Sequence, residues 1–354
     1  MKTREFNVCM TIPTGVGCEI GGHAGDAGPA AKLLAATCDN LILHPNVVNA
    51  SDINEMPPNA LYVEGSTIDR WLAGQIELQP VRSNRILVIA QEHPTNAEIT
   101  NLVEDTANAA RATWGARIAK VIRLDDPPEL KGFYDVQGMA TAVMDNLTPL
   151  ADVLNGERPN YDAVAIATII DLPADYHKRY FAGELPINPW GGPEAVLTHW
   201  MSSTFNVPCA HAPMLESWEA IEFTTDHLDP RMAAEAISCG FIHCVLKGLH
   251  KAPRITATLN HPLNISRADT VLVVPRNCNG PAVTAARQAG LTVIEVVDNT
   301  NLCAHDLRKY DWKPDQHVRV TDYFAAAGAL LALREGMDPK TCSRPLLPAL
   351  VEDR

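Results

Sequence analysis

A chain of 354 residues with 46% hydrophobic content is long enough for one large or two ordinary domains around buried cores. Its 29 basic and 42 acidic residues leave a net charge of −13, a field that repels nucleic acid and anionic membranes, and no Lys/Arg run overrides it. Neither an apolar span of ~20 residues nor a secretory leader is read in the sequence, and nine cysteines without a CxxC pair point to reduced thiols. The expectation is a cytoplasmic protein that handles a small molecule, has no membrane or nucleic-acid partner, and is a homo-oligomer like most acidic α/β enzymes of this size.

The first predicted strand, FNVCMTI (6–12), runs into PTGVGCEIGGHAGDAG (13–28) and then into an alanine-rich helix, GPAAKLLAATC (28–38). That order turns backbone N–H groups at a helix start toward an anion. The spacing from Gly15 to Gly25 is G-x-G-x-x-x-G-G-x-x-G, which is neither GxGxxG nor a P-loop, and no P-loop lysine is present; no nucleotide cofactor is expected. Two readings of the loop stay open. Its glycines serve close backbone approach, or the loop presents substrate ligands; the density of Cys18, Glu19, His23 and Asp26 favours the second. Gly15, Gly17, Gly21, Gly22 and Asp26 are therefore candidate substrate-binding residues.

Further along, DNLILHPNVVNASD ends a strand at His44, Asn46 and Asn49, and NALYVEGS ends another at Glu64, with Arg70 shortly after. Strand-like runs follow at 85–90, 118–124, 162–170, 269–275 and 291–297, alternating with helical patterns over 96–115 and 281–290 that stop at Gly115 and Gly290. This rhythm predicts an α/β fold: mostly parallel sheets with helices on both faces, arranged as two Rossmann-like lobes. The Pro/Gly-rich stretch after residue 170 is too long for an ordinary connection. The expected organisation is an N-terminal lobe over 1–170, a lid or interdomain segment over 171–193, a C-terminal lobe over 194–340 and a tail over 341–354.

The second half carries most of the metal-type side chains. AVLTHWMSS puts His199 on a helix five residues after Glu194, and NVPCAHAP puts Cys209 and His211 two apart in a strand, so both aim at one sheet face. Such a pair either ligates a metal or forms a thiolate–imidazolium. GFIHCVLKGLH (240–250) is read as a strand whose adjacent His243 and Cys244 belong to the core. His44, His199, Cys209 and His211 form the smallest set with zinc-like ligand chemistry, although no zincin spacing is present. The leading expectation is a metal-assisted hydrolase or lyase acting on a small polar amide, ureide or related carboxylate. A divalent metal, zinc by its ligands, activates water, Glu64 is the general base, and the glycine loop with Asn46, Arg70, Asn299 and Thr300 binds substrate. A rival is cofactor-free proton transfer by Cys278 opposite Cys209, giving an isomerase or racemase. A third class is a non-catalytic small-anion binding protein.

Two resemblances bear on these alternatives. VLVVPRNCNGPAVTAARQAGLTVIEVV (271–297) resembles the strand–Cys-Asn–helix–strand unit of the aspartate/glutamate/hydantoin racemase superfamily, which implies that Cys278 exchanges a proton at a substrate carbon next to a carboxylate, with a second cysteine facing it. Gly280 and Pro281 depart from that unit, and His44 stands where a second Gly-Cys is wanted. More broadly, TIPTGVGCEIGGHAGDAGPAAKLLA, HPNVVNA, NALYVEGSTIDRW, PCAHAP and VVDNT look like blocks of a bacterial and plastid-type family known only as a domain of unknown function. That resemblance implies a shared α/β fold and a common site, including Asp69 and Arg70 beside the residues above, and supplies no reaction.

Overall fold

The computed structural model describes residues 4–23, 25–47, 56–217, 228–229, 231–233, 241–258, 261–346 and 348. Six strands form the larger sheet: β1 (Asn7–Met10), β2 (Asn40–Leu43), β3 (Ala60–Tyr62), β12 (Thr270–Pro275), β13 (Val293–Val296) and β14 (His317–Val320). Their order is β14-β13-β12-β1-β2-β3, and every pairing is parallel. The smaller sheet holds β5 (Ile86–Gln91), β6 (Ile118–Leu124), β9 (Ala163–Thr168) and β10 (Cys209–Pro213) in the order β10-β9-β5-β6, again all parallel. Two antiparallel pairs complete the strands: β4 (Glu77–Gln79) with β11 (Arg254–Thr256), and the hairpin β7 (Glu129–Tyr134) with β8 (Ala140–Asp145).

Side-chain alternation in these strands decides which helix covers which face. In β1, Val8 and Met10 pack with α1 (Gly28–Ala35) and α9 (Tyr323–Arg334), whereas Cys9 packs with α2 (Gly65–Leu72) and α8 (Pro281–Ala289). The smaller sheet repeats the device. Ile86, Val88 and Ala90 face α3 (Ala97–Trp114) and α7 (Phe241–His250), while Leu87 and Ile89 face α4 (Thr148–Gly156) and α6 (Gly191–Phe205). Both faces of both sheets are thus sealed by helices, as near-continuous apolar parallel strands require.

The α/β class and its parallel sheets match the expectation, but the sheets do not divide the chain at 171–193. The larger takes strands from both ends of the sequence, and the smaller lies wholly between them; the segment 171–193 holds only the short helix α5 (Tyr176–Phe181) before α6 begins. Gly115 and Gly290 cap α3 and α8 in the left-handed conformation, as their positions predicted. The stretch read as a strand at 240–250 is corrected to helix α7. Ile242, Val245, Leu246 and Leu249 are buried at i, i+3, i+4 and i+7, so the helical period outweighs the β-branched content.

Candidate active site

From β1 the larger sheet is wound one way through β2 and β3 and the other way through β12, β13 and β14. Connections leaving β1 and β12 therefore part company at their carboxyl ends, which is where open α/β sheets leave a crevice for ligands. A cavity of about 290 Å³ lies there, at the lower edge of the ~300–1,000 Å³ common for small-molecule sites. Thr11, Pro13 and Thr14 line it after β1, Val274 and Cys278 at and after the end of β12, and the first residues of α8 beyond them. His44, Gly65 and Asp69 contribute from β2 and α2, and His199 closes it from α6.

Helix α6 belongs to the smaller sheet, and close backbone approach brings it here. Ala140 of β8 donates its N–H to the Gly15 carbonyl at 3.0 Å. A Cβ on Gly15 would meet the Ala140 carbonyl oxygen at 2.4 Å, and one on Gly192 would meet the same oxygen at 2.2 Å. Glycine loop, hairpin and α6 are thereby stacked without intervening side chains, which carries His199 over the crevice.

His44 and His199 face one another across Gly65. A Cβ added at Gly65 would lie 2.8 Å from His44 Nε2 and 3.0 Å from His199 Nε2, although the backbone there is ordinary helix. The glycine is needed for space between two imidazoles and not for conformation. His44 Nδ1 accepts the Asn46 N–H at 3.1 Å, so the neutral ring bears its proton on Nε2. Burial, with the His199 imidazole beside it, pushes the His44 pKa down to about 4 and keeps the ring neutral at ordinary pH.

Glu64 is the N-cap of α2. Its carboxylate accepts the Ser66 and Thr67 N–H groups, each at 3.0 Å, and both hydroxyls, at 2.6 and 3.2 Å. Its Oε1 also lies 3.2 Å from His199 Nε2. Four donors leave this carboxylate poorly suited to take a substrate proton; its geometry is that of an orienting partner for His199. Asp69, one turn further along the same helix, is the group more suited to titrate. Burial and the Glu64 charge raise its pKa to about 7, only partly opposed by the Ala282 N–H at the start of α8. In the sequence Asp69 belongs to the site only through the family resemblance, with no chemical role of its own. Its signal was the i, i+4 spacing from Gly65, which puts both on one helical face.

Behind the imidazole pair a smaller cavity of about 40 Å³ is lined by His44, Asn46, Glu64, His199, Cys209 and His211, with Glu194 and Thr198. The expected convergence of these residues from distant segments is therefore present, but the ligand set is not. His211 is engaged at both nitrogens, Nε2 with Thr168 Oγ1 at 2.9 Å and Nδ1 with Glu194 Oε1 at 3.3 Å. The Cys209 thiol donates to the Thr198 carbonyl at 3.3 Å, and burial, together with the Glu64 charge, pushes its pKa well above the ordinary thiol range. No thiolate–imidazolium pair forms. Among the described residues no three His, Cys, Asp or Glu side chains are grouped to hold a metal ion.

The expected substrate-binding residues mostly fasten the loop. Asn299, fully buried, bonds the Ile20 N–H and carbonyl at 3.0 Å each, and the Thr300 carbonyl accepts the Glu19 N–H at 3.0 Å. Asn46 donates to the Gly21 carbonyl at 2.7 Å, and Asp26 accepts the Gly21 N–H at 2.6 Å and faces Arg231 at 3.2 Å. Gly17, Gly21 and Gly22 would each clash with neighbours if given a Cβ, so they too serve packing. Arg70 lines neither cavity; it donates to Asn206 Oδ1 at 2.7 Å and to the Ser202 carbonyl at 3.1 Å, tying α2 to the end of α6. Asn49 lies outside the described residues. Cys278 and Cys209 line different cavities, so the opposed pair required by the isomerase alternative is not formed.

A parallel α/β fold with a polar crevice at its switch point is the frame shared by many small-molecule enzymes. The chain belongs to the family described as protein of unknown function (DUF3326), which matches residues 7–343. A Synechococcus sp. protein named as an uncharacterized lipoprotein is 32% identical over 351 residues, covering 97% of this chain and 95% of that one. No solved structure matches. The local likeness to the racemase superfamily gains no support from these matches. The expected cytoplasmic location is overturned by that name, which makes the relative a lipoprotein. Among the described residues no helix is long and apolar enough to cross a membrane.

Proposed function

We propose that the protein is a hydrolase of a small, uncharged, polar amide or ureide, acting by general acid–base chemistry in the crevice of the larger sheet. The observation that carries this reading is the pair of Nε2 atoms flanking Gly65 in the cavity that also receives Asp69. His199, whose Nε2–H is held by Glu64 Oε1 at 3.2 Å, removes a proton from the attacking water through Nδ1. His44, neutral with its proton on Nε2, donates a hydrogen bond to the carbonyl oxygen as negative charge develops there. Asp69 in its protonated form delivers a proton to the departing nitrogen as the C–N bond breaks.

The preference for an uncharged substrate rests on the lining. Among the described residues of the two cavities are Glu64, Asp69 and Glu194, and no Lys or Arg. A carboxylate substrate would meet repulsion there, since Arg70 is committed elsewhere. Release of ammonia or amine from a panel of amides and ureides tests the reading, with His199→Ala and Asp69→Asn as controls. Turnover that survives both substitutions would end it.

A second reading keeps a divalent metal, with His44 and His199 as its imidazole donors across Gly65. Such an ion would lower the pKa of bound water. Two imidazoles fall short of the three protein ligands usual in a catalytic zinc site, so this reading needs a further donor. Stoichiometric metal in protein purified without chelator, lost in His44→Ala, would favour it.

A further inference from the structure

Three sulfurs that the acid–base chemistry leaves unused are gathered around Cys278, which lines the cavity. Cys278 follows β12, and its Sγ donates to Cys303 Sγ at 3.9 Å. Cys18, from the glycine loop, is a second hydrogen-bonding neighbour of the Cys278 thiol. Asn301 Nδ2 donates to Cys278 Sγ at 3.5 Å and to the Arg276 carbonyl at 2.9 Å, while its Oδ1 accepts the Cys303 N–H at 2.8 Å. One asparagine thus pins both cysteine-bearing turns together. All three cysteines are free thiols; Cys18 and Cys278 are buried, and Cys303 is partly exposed.

We propose that Cys303 and Cys278 are a redox pair in which Cys303 reduces a small hydroperoxide and Cys278 resolves the product as an intramolecular disulfide. The Cys303 thiolate attacks the terminal peroxide oxygen, the O–O bond breaks, and the alkoxide leaves as alcohol after taking one proton from water. Cys278 then attacks the Cys303 sulfenic sulfur; the S–O bond breaks, and the hydroxide departs as water with the Cys278 thiol proton. Overall, two thiols and one hydroperoxide give one disulfide, one alcohol and one water. Two sulfurs 3.9 Å apart need close by only about 2 Å to reach bonding distance.

The division of labour follows from the surroundings. The Cys278 S–H directed at Cys303 holds the Cys303 pKa below the ordinary thiol range, against an opposing effect of burial. Hydrogen bonding with Cys18 and Cys303, and burial after them, push Cys278 well above it. The partly exposed sulfur is therefore the attacking one and the buried sulfur the resolving one.

Full-length protein treated with one equivalent of cumene hydroperoxide, then alkylated and peptide-mapped without reduction, tests this directly. The expected result is loss of two free thiols per chain, a single link joining the Cys278 and Cys303 peptides, and its disappearance with dithiothreitol. Cys303→Ser should abolish both the link and peroxide consumption, while Cys342→Ser changes neither. Full retention of free thiols would overturn the proposal, as would Cys303 recovered as sulfinic acid beside reduced Cys278, or a link through Cys342. The wild-type map decides even if a variant fails to fold, and it does not depend on the amide chemistry.

Discussion

The two sheets share one winding pattern and have opposite fates at their carboxyl ends. At the switch point of the larger sheet, between β1 and β12, a cavity of about 290 Å³ exposes two imidazoles and a carboxyl group. At the corresponding point of the smaller sheet, between β5 and β9, Gln91 Oε1 accepts the Ile169 N–H at 2.9 Å, and His93 accepts the Asn96 N–H at 3.0 Å while its other nitrogen meets the Glu216 carbonyl at 3.0 Å. The nearby cavity there is about 30 Å³ and lined mainly by apolar residues such as Ile99, Ala167, Ala212 and Met214. Topology offers both crevices; satisfied polar groups close one of them. The same contrast separates His199, with a half-exposed ring, from His211, whose ring is sealed between Thr168 and Glu194.

The largest effect that would sharpen this contrast is in turnover. Replacing His199 by Ala, or Asp69 by Asn, should lower kcat by about 10²–10⁴-fold in steady-state assays, the usual worth of a positioned acid or base. Gly65→Ala comes next. Its Cβ would press on both Nε2 atoms, at 2.8 and 3.0 Å, without straining the backbone; displacement of the imidazoles should cost about 10²-fold in kcat while the melting curve stays near wild type. His211→Leu probes the closed side: it leaves Glu194 and Thr168 unpaired and should cost about 1–3 kcal/mol in denaturant unfolding, with kcat of the folded protein retained.

A smaller effect lies in pH dependence. The folded-state pKa of Asp69, about 7, exceeds its ordinary value, so the native protein keeps a proton that the unfolded chain releases above about pH 4. Stability contributed by Asp69 therefore falls as pH rises toward 7, and kcat should fall above pH 7 as the acid loses its proton. Asp69→Asn should melt higher than wild type at pH 8, despite its inactivity. His44 has the opposite sign: its pKa of about 4 lies below the ordinary imidazole value, so stability falls as pH drops from about 6.5 toward 4. The smallest expected change is at Arg70, where Lys should leave KM unaltered because the guanidinium lines neither cavity.

What could be read from the sequence was local. Helix ends at Gly115 and Gly290, and the strands beginning near 86, 118, 163, 270 and 293, follow from periodicity and caps. The gathering of His44, Glu64, His199, Cys209 and His211 was also legible, since each lies near a strand end or on a helix beside one. Their roles were not. Whether Glu64 is a base or a cap depends on Ser66 and Thr67 turning toward it, and whether His211 is a ligand depends on Thr168, 43 residues away. The partition of strands into sheets was equally hidden, because Asn7 pairs with Thr270 across most of the chain and no local pattern marks that register. In the sequence Asp69 is marked only by the family resemblance, and its chemistry depends on burial beside Glu64, which no local pattern marks.

The most direct measurement is kcat for Gly65→Ala and His211→Leu, side by side, on whichever amide or ureide the wild-type protein turns over. Turnover lost in the first and kept in the folded second is the predicted result. Turnover kept in Gly65→Ala and lost in His211→Leu, or no amide or ureide turned over at all, would contradict the assignment of chemistry to the open crevice.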